Sequence, residues 1–126
     1  MSNPKIILAV AAFLLAIAVA AGAFGAHALK NTLSAERLET WQTAVQYHAW
    51  HALGLMLIAL IGAQFQMVVT LPASLILSGI LIFSGSLYIL CLSGASWLGA
   101  ITPIGGVAFI AGWVLLGVQV LRNGFQ

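Results

Sequence analysis

The sequence predicts an all-α fold: a four-helix transmembrane bundle threaded up, down, up and down, with a short interfacial amphipathic helix between helices 1 and 2. Three observations lead there. Hydrophobic residues make up 63% of the 126-residue chain and charged residues 5%, where a soluble domain carries roughly 25% charged residues to face water. No Asp, Glu, Lys or Arg occurs between Glu39 and Arg122, a run that a water-exposed surface would interrupt many times. Short polar or glycine-containing breaks then divide the apolar text into stretches close to the roughly 20 residues that a helix needs to cross a bilayer. At this length the chain reads as one integral membrane domain, residues 1–126.

The first span is expected over residues 6–26, uncharged and beginning after Lys5. At 1.5 Å per residue it covers one hydrocarbon thickness. A secretory signal is the rival reading, with Ala21, Gly22 and Ala23 imitating a cleavage site. Its apolar core would be only about 7–15 residues long, so an uncleaved helix is expected. Residues 34–46 follow as the interfacial helix: Ser34 is the N-cap and Glu36 suits the positive end of the helix dipole. Leu38, Trp41 and Val45 form its apolar stripe, with Trp41 as the anchor in the headgroup layer.

The second span is expected over residues 47–63, the third over 71–92 and the fourth over 101–121, with Pro72 and Pro103 in first-turn positions. The links QFQMVVT and SGASWLG are too short for anything but antiparallel neighbours, which places both termini on one side. Small residues at a spacing of four suggest where helices touch: Ala12, Ala16 and Ala20, Ser74 and Ser78, Ala108 and Gly112. Lys5 and Arg122 balance Lys30 and Arg37 in the positive-inside count; the amino terminus tips it towards cytoplasmic termini.

Several function classes are excluded or disfavoured. The four basic residues lie far apart, so no nucleic-acid surface is expected. The lone Cys91 allows no intrachain disulfide and no cysteine-based zinc site. The spans hold no Asp or Glu, and neither a nucleophile elbow nor a phosphate-binding glycine pattern occurs, so an enzyme is not expected.

Antiparallel threading brings the end of span one, the start of span two, the later half of span three and the start of span four to one membrane face. That predicts a polar cluster of His27, Tyr47, His48, His51, Ser84, Ser86, Tyr88 and Thr102, with Gln46, Trp50, Gly105 and Gly106 nearby. The other end of the bundle is almost wholly aliphatic. Intramembrane polarity is costly unless satisfied, so the cluster is the candidate for function. An aromatic and histidine belt at the interface accounts for part of it. At least one of His48 and His51 is expected to point inward and bond to another span, with Tyr88 and Ser84 as the candidate partners. A metal or haem reading of the histidines lacks a carboxylate in the spans to orient the imidazoles, so no metal and no cofactor are expected.

The stretches GAFGAHAL at 22–29, WQTAVQYHAWHALGL at 41–55, FSGSLY at 83–88 and TPIGGVAFIAGW at 102–113 resemble the YgdD/YwdK group, small bacterial inner-membrane proteins gathered as domain of unknown function 423. The resemblance covers nearly the whole chain. It implies four transmembrane helices and an inner-membrane location, and no activity. Relatives tend to carry basic residues in the link after span two and in the tail, where this chain has only Arg122. The expected role is a non-enzymatic bundle in the lipid bilayer that binds lipid, a membrane protein or a further copy of itself. The alternatives are a small transporter or channel subunit acting as an oligomer, and a metal- or haem-carrying redox subunit.

Overall fold

The computed structural model describes residues 3–123, and among them the chain is helical throughout, with no strand. Four helices are long and apolar enough to cross a membrane: α1 (Pro4–Leu29), α2 (Ala35–Phe65), α3 (Thr70–Ser93) and α4 (Ser96–Asn123). Four of these boundaries have a clear local cause. Asn3 caps α1 by accepting from the Lys5 N–H at 2.9 Å, with Pro4 just inside the helix. Ser34 caps α2 by accepting from the Arg37 N–H at 3.2 Å. Helix α2 ends at Gln66, whose left-handed φ of 52° lets the Met67 N–H bond back to the Gly62 carbonyl. Helix α3 ends at Gly94, with φ of 77° and its N–H on the Leu90 carbonyl.

Large apolar side chains face outward along the bundle, Phe13 at 71% exposure and Leu121 at 84% among them. Water would not tolerate that surface and lipid does. The inner core is built from Ile7, Leu55, Ile58, Ile76, Phe109 and their neighbours.

Two helices widen locally, neither at a proline. In α1 the segment Ala20–Gly25 widens into a π turn, and the Ala26 N–H reaches the Ala21 carbonyl five residues back. In α3 the segment Ile80–Ser84 does the same, with the Gly85 N–H reaching Ile80. The wide turn leaves the Ala21 carbonyl open to a second donor, which the site below uses.

Two expectations are corrected here. Residues 34–46 are not a separate interfacial helix. They form the first turns of a continuous 31-residue α2. Nothing between Ser34 and Tyr47 breaks the helix, and the stripe meant for headgroups is occupied inside the bundle. Trp41 is buried against Tyr88, and Val45 lies beside Gly22. The alanines at 12, 16 and 20 are exposed, and α1 buries Ile7, Ala11 and Ala18 instead, a stripe that runs along its opposite side. Close approach is made by glycines. A Cβ at Gly105 would strike the Phe83 backbone, one at Gly79 the Phe109 ring, and one at Gly112 the Ile76 side chain.

Candidate functional site

His48 lies at the centre of the bundle, 2% exposed, and bonds to two other helices. Its Nε2 is 2.8 Å from the Leu14 carbonyl of α1, and its Nδ1 is 2.8 Å from the Tyr88 hydroxyl of α3. A carbonyl only accepts, so Nε2–H donates to Leu14. The neutral ring then accepts at Nδ1, and Tyr88 O–H donates to it. Both ring nitrogens are satisfied, and α1, α2 and α3 are joined at one side chain.

Around this tie the other polar groups are paired in the same way. Ser84 Oγ–H, in the π turn of α3, donates to the Ala44 carbonyl of α2 at 2.7 Å. Ser86 and Thr102 hydroxyls join α3 to α4 at 2.6 Å. Trp41 Nε1–H donates to the Ala21 carbonyl at 2.9 Å, on the oxygen that the π turn of α1 presents. Arg37 donates to the Leu90 carbonyl at 2.6 Å, near the C-terminus of α3, where a cation meets the negative end of the helix dipole.

His51 is held differently. Its Nδ1–H donates to the Tyr47 carbonyl one turn back on its own helix at 2.8 Å, and its ring stacks on Phe109 of α4 with centroids 3.6 Å apart. Tyr47 packs on Phe83 at 4.6 Å and on Trp50 at 5.4 Å. The contact between α2 and α4 is thus aromatic, with Trp113 resting over Gly54.

The sequence-derived cluster is partly assembled. His48, His51, Ser84, Ser86 and Thr102 are buried, with Tyr47 and Tyr88 half-buried beside them. His27 does not join: it is exposed on the last turns of α1. Tyr88 reaches His48 as expected, while Ser84 bonds Ala44 and no imidazole. The cluster is also deeper than a one-face arrangement requires. Because residues 35–46 belong inside the bundle, His48 and His51 straddle the midpoint of α2, level with Leu14 near the middle of α1. Among the described residues no three His, Cys, Asp or Glu side chains converge as metal ligands would.

A second polar region lies on the outside. Glu39, Gln42, Thr43 and Gln46 share the outward face of α2 and are exposed. With Gly22 and Ala26 of α1 they line a groove of about 570 Å³. Periodicity alone hid this face, because those residues were assigned to the headgroup layer. Their depth follows from their neighbours. Trp41 is bonded to Ala21 and His48 to Leu14, so the intervening turns of α2 run beside the apolar middle of α1.

The comparisons with known proteins also point to a membrane protein. A family model described as protein of unknown function (DUF423) matches residues 21–106. The chain belongs to that family. It is 43% identical over 120 residues to the UPF0382 membrane protein YwdK of Bacillus subtilis, covering 94% of this chain and 98% of the relative. It is 46% identical over 118 residues to a UPF0382 membrane protein of Staphylococcus saprophyticus, with 94% and 98% covered. A third, from Staphylococcus haemolyticus, is 42% identical over 118 residues, with 94% and 97% covered. No solved structure matches the chain. It is a multi-pass membrane protein of the DUF423/UPF0382 family, with the lipid bilayer as its surroundings.

Proposed function

We propose that the protein is a non-enzymatic partner-binding bundle of the bacterial inner membrane, and that its contact surface is the polar groove between α1 and α2. One observation carries the reading: exposed Glu39, Gln42, Thr43 and Gln46 lie beside the apolar stretch of α1, where lipid chains offer them no hydrogen bonds. Polar residues inside a bilayer normally face protein or water. The interior histidine cluster is the scaffold rather than the contact: both nitrogens of His48 and the hydroxyls of Ser84, Ser86 and Thr102 are occupied within the chain. An orientation with both termini cytoplasmic is supported by Lys5 and Arg122, since Arg37 on the other side is drawn against the Leu90 carbonyl.

A photo-crosslinking side chain placed at residue 46 in native membranes tests the contact. It is expected to yield a discrete protein adduct, while the same group at the lipid-facing residue 107 yields none. Adducts to lipid alone at both positions would end the proposal. Reporter fusions after residue 126 and in the loop near residue 32 test orientation: activity of a cytoplasmic reporter at the first and not at the second is expected, and the reverse overturns it.

A further inference from the structure

We infer that the seam between α2 and α4 holds a binding site for a lipid-soluble quinol, whose ring hydroxyl donates to Nε2 of His51. The inference stands apart from the groove between α1 and α2. It begins with an imidazole that is half satisfied. Nδ1–H of His51 is committed to the Tyr47 carbonyl at 2.8 Å, so the neutral ring carries a bare lone pair at Nε2. No group among the described residues donates to it. His51 is only 8% exposed, yet Nε2 is not sealed. Among the described residues that are not themselves exposed, Gln119 Oε1 is the one unpaired side-chain nitrogen or oxygen closed off from the surface. The His51 acceptor therefore opens outward from an otherwise buried ring.

Depth decides what can reach it. His51 stacks on Phe109, Tyr47 one turn earlier packs on Phe83, and His48 between them bonds to Leu14. Those partners lie near the middle of α4, α3 and α1, so the open nitrogen sits near mid-span, away from phospholipid headgroups and water. An unpaired acceptor at that depth is costly, and a molecule that carries a hydroxyl into the hydrocarbon layer relieves the cost. The surroundings specify the body of that molecule. Trp50, Tyr47, His51 and Trp113 form one run of rings with successive centroids 5.4, 5.9 and 5.8 Å apart, and the two indoles are 55% and 36% exposed. Their N–H groups and the Tyr47 hydroxyl have no partner among the described residues. Exposed aromatic faces favour a flat ring over an alkyl chain, and the free donors suit its oxygens. A quinol meets both demands, with one hydroxyl to give and a second ring oxygen to accept. A quinone meets one, because its carbonyl oxygens accept and cannot donate to Nε2. The site accordingly selects the reduced form.

Equilibrium binding of a radiolabelled decyl-benzoquinol, kept reduced under argon, to the full-length protein in phospholipid nanodiscs tests the site against empty nanodiscs. Saturable binding is expected. On the same wild-type protein the oxidised decyl-benzoquinone is expected to bind roughly ten-fold more weakly, because an acceptor would then face an acceptor. Farnesol, a hydroxyl without a ring, is expected to compete poorly. His51→Phe keeps the stack on Phe109 and removes the acceptor, so it should weaken quinol binding by a similar factor. His51→Gln, which keeps a side-chain acceptor, should recover part of the loss. Quinol binding no greater than that of empty nanodiscs overturns the site. Equal affinity for the two oxidation states overturns donation to Nε2, and equal affinity for farnesol overturns the quinol as ligand. A folded His51→Phe that binds as the wild type does overturns the placement at His51. The comparison of oxidation states needs no variant, so the proposal remains open to refutation even where His51→Phe fails to fold.

Discussion

The two long seams of the bundle lean on different means. Between α1 and α2 the helices are joined by side chains that reach a partner's backbone: Trp41 to the Ala21 carbonyl and His48 to the Leu14 carbonyl. Between α3 and α4 they are joined mainly by absence of side chain, with Gly105 against the Phe83 backbone, Gly79 under Phe109 and Gly112 against Ile76. In water either pair could be held by hydrophobic burial. In lipid that drive is missing, because the hydrocarbon is as apolar as the helix, and two routes remain: very close packing or polar bonding. This chain leans on polar bonding between α1 and α2 and on close packing between α3 and α4, where Ser86 and Thr102 add one hydroxyl bond, and it places His48 and Ser84 where α3 meets α2.

The comparison can be broken at either seam. The largest effect is expected from Gly105→Val, which pushes a branched side chain into the Phe83 backbone. Overpacking of that kind costs about 3 kcal/mol or more, read as loss of helical structure at lower dodecyl sulfate in mixed micelles. An unchanged midpoint would mean that α3 and α4 do not approach this closely. His48→Leu comes next, at about 2 kcal/mol, because it strips two bonds and leaves the Tyr88 hydroxyl unpaired between helices. Tyr88→Phe should cost about 1 kcal/mol, and less still in the His48→Leu background, where its bond is already gone. A double-mutant cycle measures that coupling, and strict additivity would dissolve the His48 tie. The smallest effect belongs to Ser86→Ala, about 0.6 kcal/mol for the bond to Thr102, in line with what single polar pairs contribute in membranes.

Much of the site was legible in part for a physical reason. Span positions follow from hydropathy, and antiparallel threading follows from short links, so Tyr88 could be placed beside His48 without any structure. The identity of the bonding atoms could not. Leu14 and Ala44 contribute carbonyls, and a carbonyl looks alike at every position of a sequence. The π turn that opens the Ala21 oxygen to Trp41 left only a diffuse trace, the glycines of AAGAFG. His27 was grouped with the other histidines by its depth alone, and the direction it faces on α1 excludes it.

By itself the sequence determined the solvent, the number of crossings and their alternation, because those depend on composition and on distances along the chain. Ser34 as a helix start was likewise a local matter of one hydroxyl and one N–H. Only the tertiary structure decided that residues 35–46 enter the bundle instead of lying across the headgroups. An amphipathic helix presents the same stripe to lipid headgroups and to a neighbouring helix, so its pattern does not distinguish them. The choice was made by Ala21, Gly25 and Tyr88, which supply a carbonyl, a gap and a ring for Trp41. Once Trp41 is seated there, the opposite side of the same turns, Glu39 to Gln46, is drawn alongside α1 with it.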